Sequence, residues 1–507
     1  MISEINSIWI VGGGIAGTST ACVLKQTFPH KDIRLIEGKS IPTVGVGEST
    51  LSQINSFLQL LNIQDKDFMK ECDASYKLSI RFENWKTENS GSFHYPFGSP
   101  YYSESVLNYN YWYYKKFLKP ATPNSDFADC MFPHMALINE NKVCPKEGVF
   151  PSWNMKNDAA YHFDANKLSD LLKKKFKELG GRILVEDIVN IQRNEDGSIK
   201  QLDLHTSNSI KADLYIDCTG FKSLLLDKTM KEPFESYEDM LPNNSAWATK
   251  LPYVDKEKEL VCYTNCKAVE NGWIWNIPLW SRMGTGYVYS DKYISDDDAL
   301  KQFQNHLGTE DLEFKKLDMR IGVHKRLWVK NVCAIGLSAG FIEPLESNGL
   351  LTIHTFLMKL VPILKKKIVN EFAIQHFNLA CRRMFRGFAE FVAMHYALSD
   401  RTDTEYWKDI QKRNYHIEEK FIDEKSDFQL AFRNKMEEHY WHTTGGFPCI
   451  ATGMDWFPTT FEEIRYAEAN FSIEHYEKEW KHILENLEKS SKEGEHFQTD
   501  RSNYLHT

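Results

Sequence analysis

The segment Ser7-Ile-Trp-Ile-Val-Gly-Gly-Gly-Ile-Ala-Gly17 decides the fold. Its short apolar run leads into a glycine-rich turn and then into a helical pattern over residues 18–28. A second apolar run, residues 33–36, ends at Glu37, which is placed to accept hydrogen bonds from a ribose. This order of strand, turn, helix, strand and acid is the βαβ fingerprint of a dinucleotide site.

Each small residue of the turn has a predicted role in binding the dinucleotide. Gly12 permits the tight turn, Gly14 lets the backbone approach a pyrophosphate, and Gly17 lets the helix lie close to the strand. Ile15 and Ala16 begin the helix, whose N-terminus attracts phosphate. We therefore expect these five residues to contact the cofactor.

The length of 507 residues, with 42% apolar and 26% charged side chains, exceeds one ordinary hydrophobic core. We predict a mixed α/β fold with a Rossmann-type dinucleotide-binding module over residues 1–370 and an aromatic-rich insertion at about 85–155. Residues 371–507 are expected to form a mainly helical, substrate-covering module. It includes a helix with one apolar face at 472–489 and a polar tail from about 492.

Several local signals place further elements. Asp164 is a predicted N-cap for a helix that stops at Gly180-Gly181, and residues 194–197 are a predicted turn between strands. Residues 212–220 read as an apolar strand followed by a small-residue turn, which suits a chain passing close to a flat cofactor. A long apolar helix is expected after Gly349, running to about Lys366.

Charge and cysteine usage exclude several classes of protein. The 61 basic and 70 acidic residues give a net charge of −9, with no basic stripe that would favour nucleic acid. The sequence shows no secretory leader and no apolar stretch of about 18 residues, so we expect a cytoplasmic protein without a membrane partner. The ten cysteines have no zinc-site spacing, which predicts free thiols and no metal.

Five stretches of the sequence resemble the flavin-dependent halogenases of the tryptophan-halogenase group. They are Gly12–Gly17, Gly45-Val-Gly-Glu-Ser-Thr50, Tyr76-Lys77 before Phe82-Glu-Asn-Trp85, Gly272-Trp-Ile-Trp-Asn-Ile-Pro278 and Phe341-Ile-Glu-Pro-Leu-Glu-Ser-Asn-Gly349. The last two are far more specific than a glycine turn. The resemblance covers scattered positions from the N-terminus to about residue 400.

The resemblance implies an FAD-binding domain of the flavin monooxygenase and glutathione reductase type, and a definite chemistry. Reduced FAD, O2 and a halide ion would form hypohalous acid, which would pass through an internal tunnel to Lys77 and halogenate an aromatic substrate. Because the chain has one dinucleotide fingerprint, we expect a separate NAD(P)H-dependent flavin reductase to supply the reduced FAD. A homodimer is one assembly that is compatible with the sequence.

Two residues match the catalytic pair of the family. An ammonium at Lys77 would hydrogen-bond hypohalous acid or form a haloamine, and Glu346 would polarise the oxidant or take the proton lost from the ring. Without the resemblance, Lys77 reads as a solvated lysine on the polar face of a strand through Phe82. Glu346 would then be an acid that stabilises the dipole of the helix after it.

Other matches concern the flavin and the halide. The backbone of Asn348 and Gly349 occupies the family's halide position, and amides at a helix start form a sound anion site. Trp273 and Trp275 match residues that line the flavin side, or else they are ordinary packing in a strand. The remaining expected FAD contacts are Gly45, Gly47, Val185, Leu337 and Leu350.

The resemblance does not extend to the residues that bind the substrate in tryptophan-specific members. Residues 446–453 stand where tryptophan-specific members carry paired tyrosines and a nearby glutamate. With the aromatic insertion and Met454-Asp-Trp-Phe457, this favours a flat apolar guest such as an indole or a phenol. Two alternatives remain open: an FAD-dependent aromatic monooxygenase, and a flavin-binding protein without turnover.

Overall fold

The computed structural model describes residues 4–39, 47–100, 112, 115–116, 118–143, 153–413, 415, 446–456, 478, 481 and 485. Several expectations therefore lie outside the described residues. They are Gly45, Cys144, Phe457, all but Trp112 of the aromatic residues between 101 and 114, nearly all of the helix at 472–489, and the tail from 492.

The first sheet is the Rossmann-like layer predicted from the opening segment. Its strands, in spatial order, are Trp328–Val329 (β20), Val332–Ala334 (β21), Leu214–Asp217 (β12), Ser7–Val11 (β1), Asp32–Glu37 (β2) and Arg182–Val185 (β8). All neighbours pair in parallel except β20 with β21. The central strands are buried, which explains their continuous apolar sequence.

A second, larger sheet lies beside it. In spatial order its strands are Lys315–Asp318 (β18), Ser245–Leu251 (β14), Met283–Tyr289 (β17), Gly272–Pro278 (β16), Tyr263–Val269 (β15), Ser79–Glu83 (β5) and Ser92–Pro96 (β6). β15 and β5 pair in parallel and the other neighbours antiparallel. The first strand of the aromatic-rich region, β6, is thus an edge of this sheet.

Three small sheets complete the β structure. Their strands are Glu48–Ser49 (β3), Ala160–Phe163 (β7) and Ser75–Lys77 (β4); Ser209–Ile210 (β11), Ile199–Leu204 (β10) and Ile188–Arg193 (β9); and Phe234–Ser236 (β13), Gly322–His324 (β19) and Gly340–Phe341 (β22). The turn predicted at 194–197 joins β9 to β10 and is confirmed.

The helices pack around these sheets. They are Ile15–Thr27 (α1), Ile54–Leu60 (α2), Asp65–Glu71 (α3), Asp126–Met131 (α4), Met135–Asn139 (α5), Met155–Asp158 (α6), Ala165–Glu178 (α7), Lys256–Glu259 (α8), Asp296–Leu307 (α9), Asn348–Leu364 (α10), Glu371–Ala397 (α11), Glu405–Lys412 (α12) and Gly446–Gly453 (α13). Single-turn 3₁₀ segments and one π segment lie at Gly220–Lys222, Leu224–Thr229, Gly336–Ser338 and Pro344–Glu346.

The helix boundaries follow the sequence signals. The Asp164 carboxylate accepts hydrogen bonds from the backbone amides of Asn166 and Lys167, at 2.9 and 3.2 Å, so the predicted N-cap of α7 is confirmed. The long apolar helix predicted after Gly349 is α10, which begins two residues earlier than expected, at Asn348, and ends at Leu364. Its packing partners include α1 and α11.

Other sequence expectations can be checked over the described ranges. No helix there is long and apolar enough to cross a bilayer. Within the same ranges, the histidines, cysteines and acidic residues form no cluster of three that could hold a metal ion. The nine cysteines of these ranges are buried free thiols, as their spacing predicted.

One local interpretation is wrong. The solvated alternative for Lys77 placed it on a single strand continuing through Phe82, but the strand ends at Lys77. A new strand begins at Ser79, and the two belong to different sheets. The Lys77 side chain is fully buried.

Candidate active site

The glycine turn at the end of β1 has the shape of a dinucleotide cradle. Gly12 has φ +118°, and a β-carbon there would lie 2.2 Å from the carbonyl oxygen of Cys218, so only glycine fits. At Gly14, by contrast, nothing lies within 4 Å of such an atom. No side chain caps α1, so its N-terminus is available to an anion such as a pyrophosphate.

The expected ribose and flavin contacts lie along the same edge of the parallel sheet. Glu37 ends β2 and carries an ion pair with Lys173 at 2.6 Å. Val185 is its register partner on β8 and is 51% exposed, and Leu337 after β21 is 39% exposed. Large apolar side chains left open beside a phosphate cradle are what a bound FAD would cover.

Two further predicted contacts are placed differently. Leu350 is buried in the first turn of α10 and belongs to the core. Gly47 is buried with φ +112°, and a β-carbon there would approach Leu279 at 3.1 Å. Neither residue offers the exposed surface seen at the sheet edge.

The segment that connects β22 to α10 holds the expected halide site. It passes through the 3₁₀ turn Pro344–Glu346, and Ser347 then takes φ +54° before α10 begins. The Asn348 side chain is buried, whereas Gly349 is exposed with nothing within 4 Å of an added β-carbon. The first turn of a 17-residue helix is therefore exposed at Gly349, and a helix N-terminus attracts anions.

Lys77 is held inside the protein by two hydrogen bonds. Its Nζ donates to the carbonyl oxygen of Thr50 at 2.9 Å and to Ser347 Oγ at 2.8 Å, and it lies 4.9 Å from the centre of the Phe97 ring. Burial lowers the pKa of the Lys77 amine to about 7, against the opposing influence of Cys266 and Glu346. A substantial fraction of the amine is therefore neutral near neutral pH.

Glu346 is the acidic counterpart of this amine. It is 2% exposed, and its Oε1 lies 3.0 Å from Nε2 of the buried His395. Neither carboxylate oxygen has a partner that meets strict hydrogen-bond geometry among the described residues, so the contact with His395 is a close electrostatic one. Burial raises the pKa of Glu346, with His395 and Lys77 limiting the rise. Such an unsatisfied buried carboxylate is poised to take a proton.

Aromatic side chains connect these two groups. Phe97 contacts Tyr95, with ring centres 5.7 Å apart, and Tyr95 contacts Phe391 at 6.5 Å. The Phe391 ring lies 5.9 Å from that of His395. A wall of rings thus runs from the Lys77 amine to the partner of Glu346, and Gly446 of α13 packs directly against Tyr95 and Phe391.

A second buried carboxylate nearby has a different environment. Glu343 Oε2 accepts hydrogen bonds from Asn243 Nδ2 at 3.0 Å, Trp273 Nε1 at 3.0 Å and Tyr396 OH at 2.6 Å. These bonds tie the connecting segment to β16 and α11. Trp273 is therefore anchored through its indole N–H. Because Glu343 Oε2 accepts three hydrogen bonds and the oxygens of Glu346 accept none among the described residues, we interpret Glu343 as a structural residue.

Comparisons with known proteins identify the family of this chain. A family model described as tryptophan halogenase matches residues 7–469. This chain belongs to the tryptophan halogenase family. Tryptophan 7-halogenase RebH of Lentzea aerocolonigenes is 32% identical over 90% of this chain and 91% of its own length. The 7-chloro-L-tryptophan 6-halogenase KtzR of Kutzneria sp. is 35% identical, over 80% and 81%.

Solved structures agree over nearly the whole chain. The apo structure of VirX1 has a TM-score of 0.88 at 37% identity, covering 98% of this chain and 99% of that one. The tryptophan 6-halogenase SttH of Streptomyces toxytricini gives 0.86 at 29%, covering 98% and 99%. The protein is thus a flavin-dependent halogenase family enzyme with the family's mixed α/β fold, and its relatives imply FAD as the cofactor.

Sequence reasoning missed several residues of this halogenase site. His395 had one signal, since it is a lone polar residue in an otherwise apolar stretch of α11. Phe97 was one aromatic residue among many in its region. Ser347 lay inside a matched stretch, but nothing in the sequence indicated that its hydroxyl would accept from Lys77.

Proposed function

We propose that this protein uses reduced FAD, O2 and halide to halogenate an indole-like or phenolic aromatic compound, with Lys77 and Glu346 as its catalytic residues. The observation that carries the proposal is a fully buried amine of lowered pKa, held by two directed hydrogen bonds and electrostatically coupled to a buried, unsatisfied carboxylate. Lys and Glu side chains are seldom fully buried, and shifted pKa values cluster at functional sites.

The residues present fit FAD. Gly12, Gly14 and the first amides of α1 would hold its pyrophosphate, Glu37 its ribose, and the exposed side chains of Val185 and Leu337 would contact its apolar surface. When bound in reduced form, FAD supplies with O2 and halide the oxidant, hypohalous acid. The amides of Asn348 and Gly349 would bind the halide.

Lys77 would capture the oxidant after it travels through the protein interior. Both hydrogens of a neutral amine are donated, to Thr50 and to Ser347, so the lone pair on Nζ is left to attack. The nitrogen bonds to the halogen of hypohalous acid, the halogen–oxygen bond breaks, and water leaves with one amine proton. Held in this way, the halogen reacts at one carbon of the guest and does not diffuse away.

Glu346 would complete the reaction. As a ring carbon bonds to the halogen, the nitrogen–halogen electron pair returns to Lys77 Nζ. Glu346 takes up the displaced ring proton on a free oxygen, and one proton is returned to Nζ, so that the neutral amine is regenerated. Both catalytic groups therefore act in their deprotonated forms.

This requirement predicts the pH profile. Between about pH 5.5 and 9, the halogenation rate divided by the flavin oxidation rate should rise with pH, pass its midpoint near 7, where half of the Lys77 amine is neutral, and level off above about 8. Initial rates of both reactions in one set of buffers check this. A ratio that falls as the pH rises through 7 would show that the ammonium form is the active one.

The substrate is proposed from what the site lacks as well as from what it contains. Every residue of α13 is buried, and the one hydroxyl there, of Thr452, is used within the helix. No side chain of Gly446–Gly453 is charged, so this described segment offers nothing to hold an amino acid's ammonium or carboxylate. The half-buried Trp456, 6.0 Å from Phe447, suits stacking on a flat ring.

A product assay tests the function. The protein is supplied with FAD, an NAD(P)H-dependent flavin reductase, halide and panels of indoles, phenols and free amino acids, and products are identified by mass. We expect halogenated indoles or phenols. A hydroxylated product formed without halide would favour the monooxygenase, and reaction of free amino acids alone would contradict the apolar-guest proposal.

A further inference from the structure

A line of buried polar side chains runs from Lys77 to a histidine outside the expected catalytic pair. Lys77 donates to Ser347 Oγ at 2.8 Å, and Ser347 donates to Ser49 Oγ at 3.1 Å. Ser49 Oγ lies 2.8 Å from Thr264 Oγ1, which lies 2.8 Å from His162 Nε2. All five side chains are buried.

Strand register builds the far end of this line. β7 is the middle strand of its sheet, and His162 lies directly opposite Ser49 on β3 and Ser75 on β4. Thr264 lies on β15 of the large sheet and contacts both Ser49 and His162. His162 Nδ1 lies 3.2 Å from Ser75 Oγ, and that hydroxyl donates in turn to the carbonyl oxygen of Pro278.

Counting protons fixes the direction of every bond. Because Ser75 gives its single proton to a carbonyl, it must accept from His162, so Nδ1 carries the hydrogen of the ring. A neutral ring then has Nε2 as an acceptor, and burial together with Lys77 lowers the pKa of His162 well below its ordinary range. Thr264 therefore donates to Nε2 and must accept from Ser49.

The same count continues to the amine. Since Ser49 gives its proton to Thr264, it accepts from Ser347, as the geometry shows. Ser347 then has only lone pairs to offer Lys77. The tautomer of His162 thus determines that Lys77 finds an acceptor at Ser347, which directs the remaining lone pair of the amine.

We propose that His162 is a positioning residue, which orients the Lys77 amine through the three hydroxyls between them. This inference rests on the proposed function. Breaking the line would leave Ser347 free to turn its proton toward the amine, and Lys77 would lose its fixed direction. Oxidant would still be made, but more of it would escape from the protein.

Thr264 offers a matched pair of variants. Thr264→Val keeps the shape of the side chain and removes the hydroxyl, whereas Thr264→Ser keeps the hydroxyl. Thr249→Val is the control, because Thr249 is buried in the same sheet with its hydroxyl on the Glu313 carbonyl oxygen. Each protein is assayed with indole, bromide, FAD, O2, a flavin reductase and NAD(P)H, with a water-soluble 1,3-diketone trapping free hypobromous acid.

The readout is the ratio of brominated indole to brominated trap. Thr264→Val should lower it by about tenfold, less than the roughly 10²-fold that a larger misplacement of a reacting group can cost. Thr264→Ser and Thr249→Val should keep the wild-type ratio, and flavin oxidation should be unchanged throughout. His162→Leu and Ser49→Ala should reproduce the Thr264→Val result, and they serve if that variant fails to fold.

Two results overturn the inference alone. One is a folded Thr264→Val protein with the wild-type ratio, and the other is a Thr264→Ser protein that loses as much oxidant as Thr264→Val, since packing would then be the cause. A wild-type protein that traps hypobromous acid but brominates no aromatic compound overturns the proposed function, and the inference with it.

Discussion

Replacing Lys77 with alanine should abolish halogenation while flavin oxidation and the formation of free hypohalous acid continue. The amine is the group that converts a diffusing oxidant into a bound halogen, and no other lysine of the described residues has its Nζ on Ser347. The loss should exceed about 10²-fold, because both proximity and the nucleophile are removed. The measurement is halogenated product per flavin oxidised, with a soluble trap for the oxidant that escapes.

Two further variants isolate the amine. Lys77→Met retains much of the buried volume without the nitrogen, so it should be as inactive as Lys77→Ala. Lys250→Ala removes an exposed lysine of β14 and should have no effect. Normal product yield from Lys77→Met would contradict the capture role and would show that Lys77 has only a structural role.

Glu346→Gln should lower the halogenation rate by roughly 10²- to 10⁴-fold, the range for a positioned acid–base group. The amide has the shape of the carboxyl but cannot take the ring proton. Stability should not fall, because Glu346 makes no hydrogen bond with the described residues that the change would break, and burial penalises its charge. Single-turnover rates and thermal unfolding of the same preparations give both quantities.

Glu343→Gln provides the comparison. Its Oε2 accepts three buried hydrogen bonds, and bonds to a charged group contribute roughly 1.5–3 kcal/mol each. We therefore expect Glu343→Gln to lower Tm and Glu346→Gln to leave Tm unchanged or raise it. A loss of rate no greater in Glu346→Gln than in Glu343→Gln would show that both carboxylates merely support the fold.

The sequence predicted those features that depend on local chemistry. Gly12 and Gly17 showed the glycine turn because backbone conformation at the first and close approach of backbone at both restrict those positions to glycine. Asp164 showed the start of α7 because an N-cap depends on amides two and three residues later. Such signals lie within a few residues of each other and need no knowledge of the tertiary structure.

Features that depend on strand pairing could not be read in this way. Lys77 resembled a solvated lysine until the pairing of β4 with β7 placed it inside the protein. His162 and Thr264 are 102 positions apart and meet only because two sheets pack together. The family resemblance selected Lys77 and Glu346, but the side chains that orient them emerged from the three-dimensional structure.

The capture of oxidant by Lys77 can be tested by separating it in time from substrate. The protein is turned over with reduced FAD, O2 and bromide but no aromatic compound, desalted to remove free oxidant, and then mixed with indole alone. We predict brominated indole from the wild type and none from Lys77→Ala. Equal yields from the two proteins, or none from a wild type that brominates indole under continuous turnover, would contradict the account.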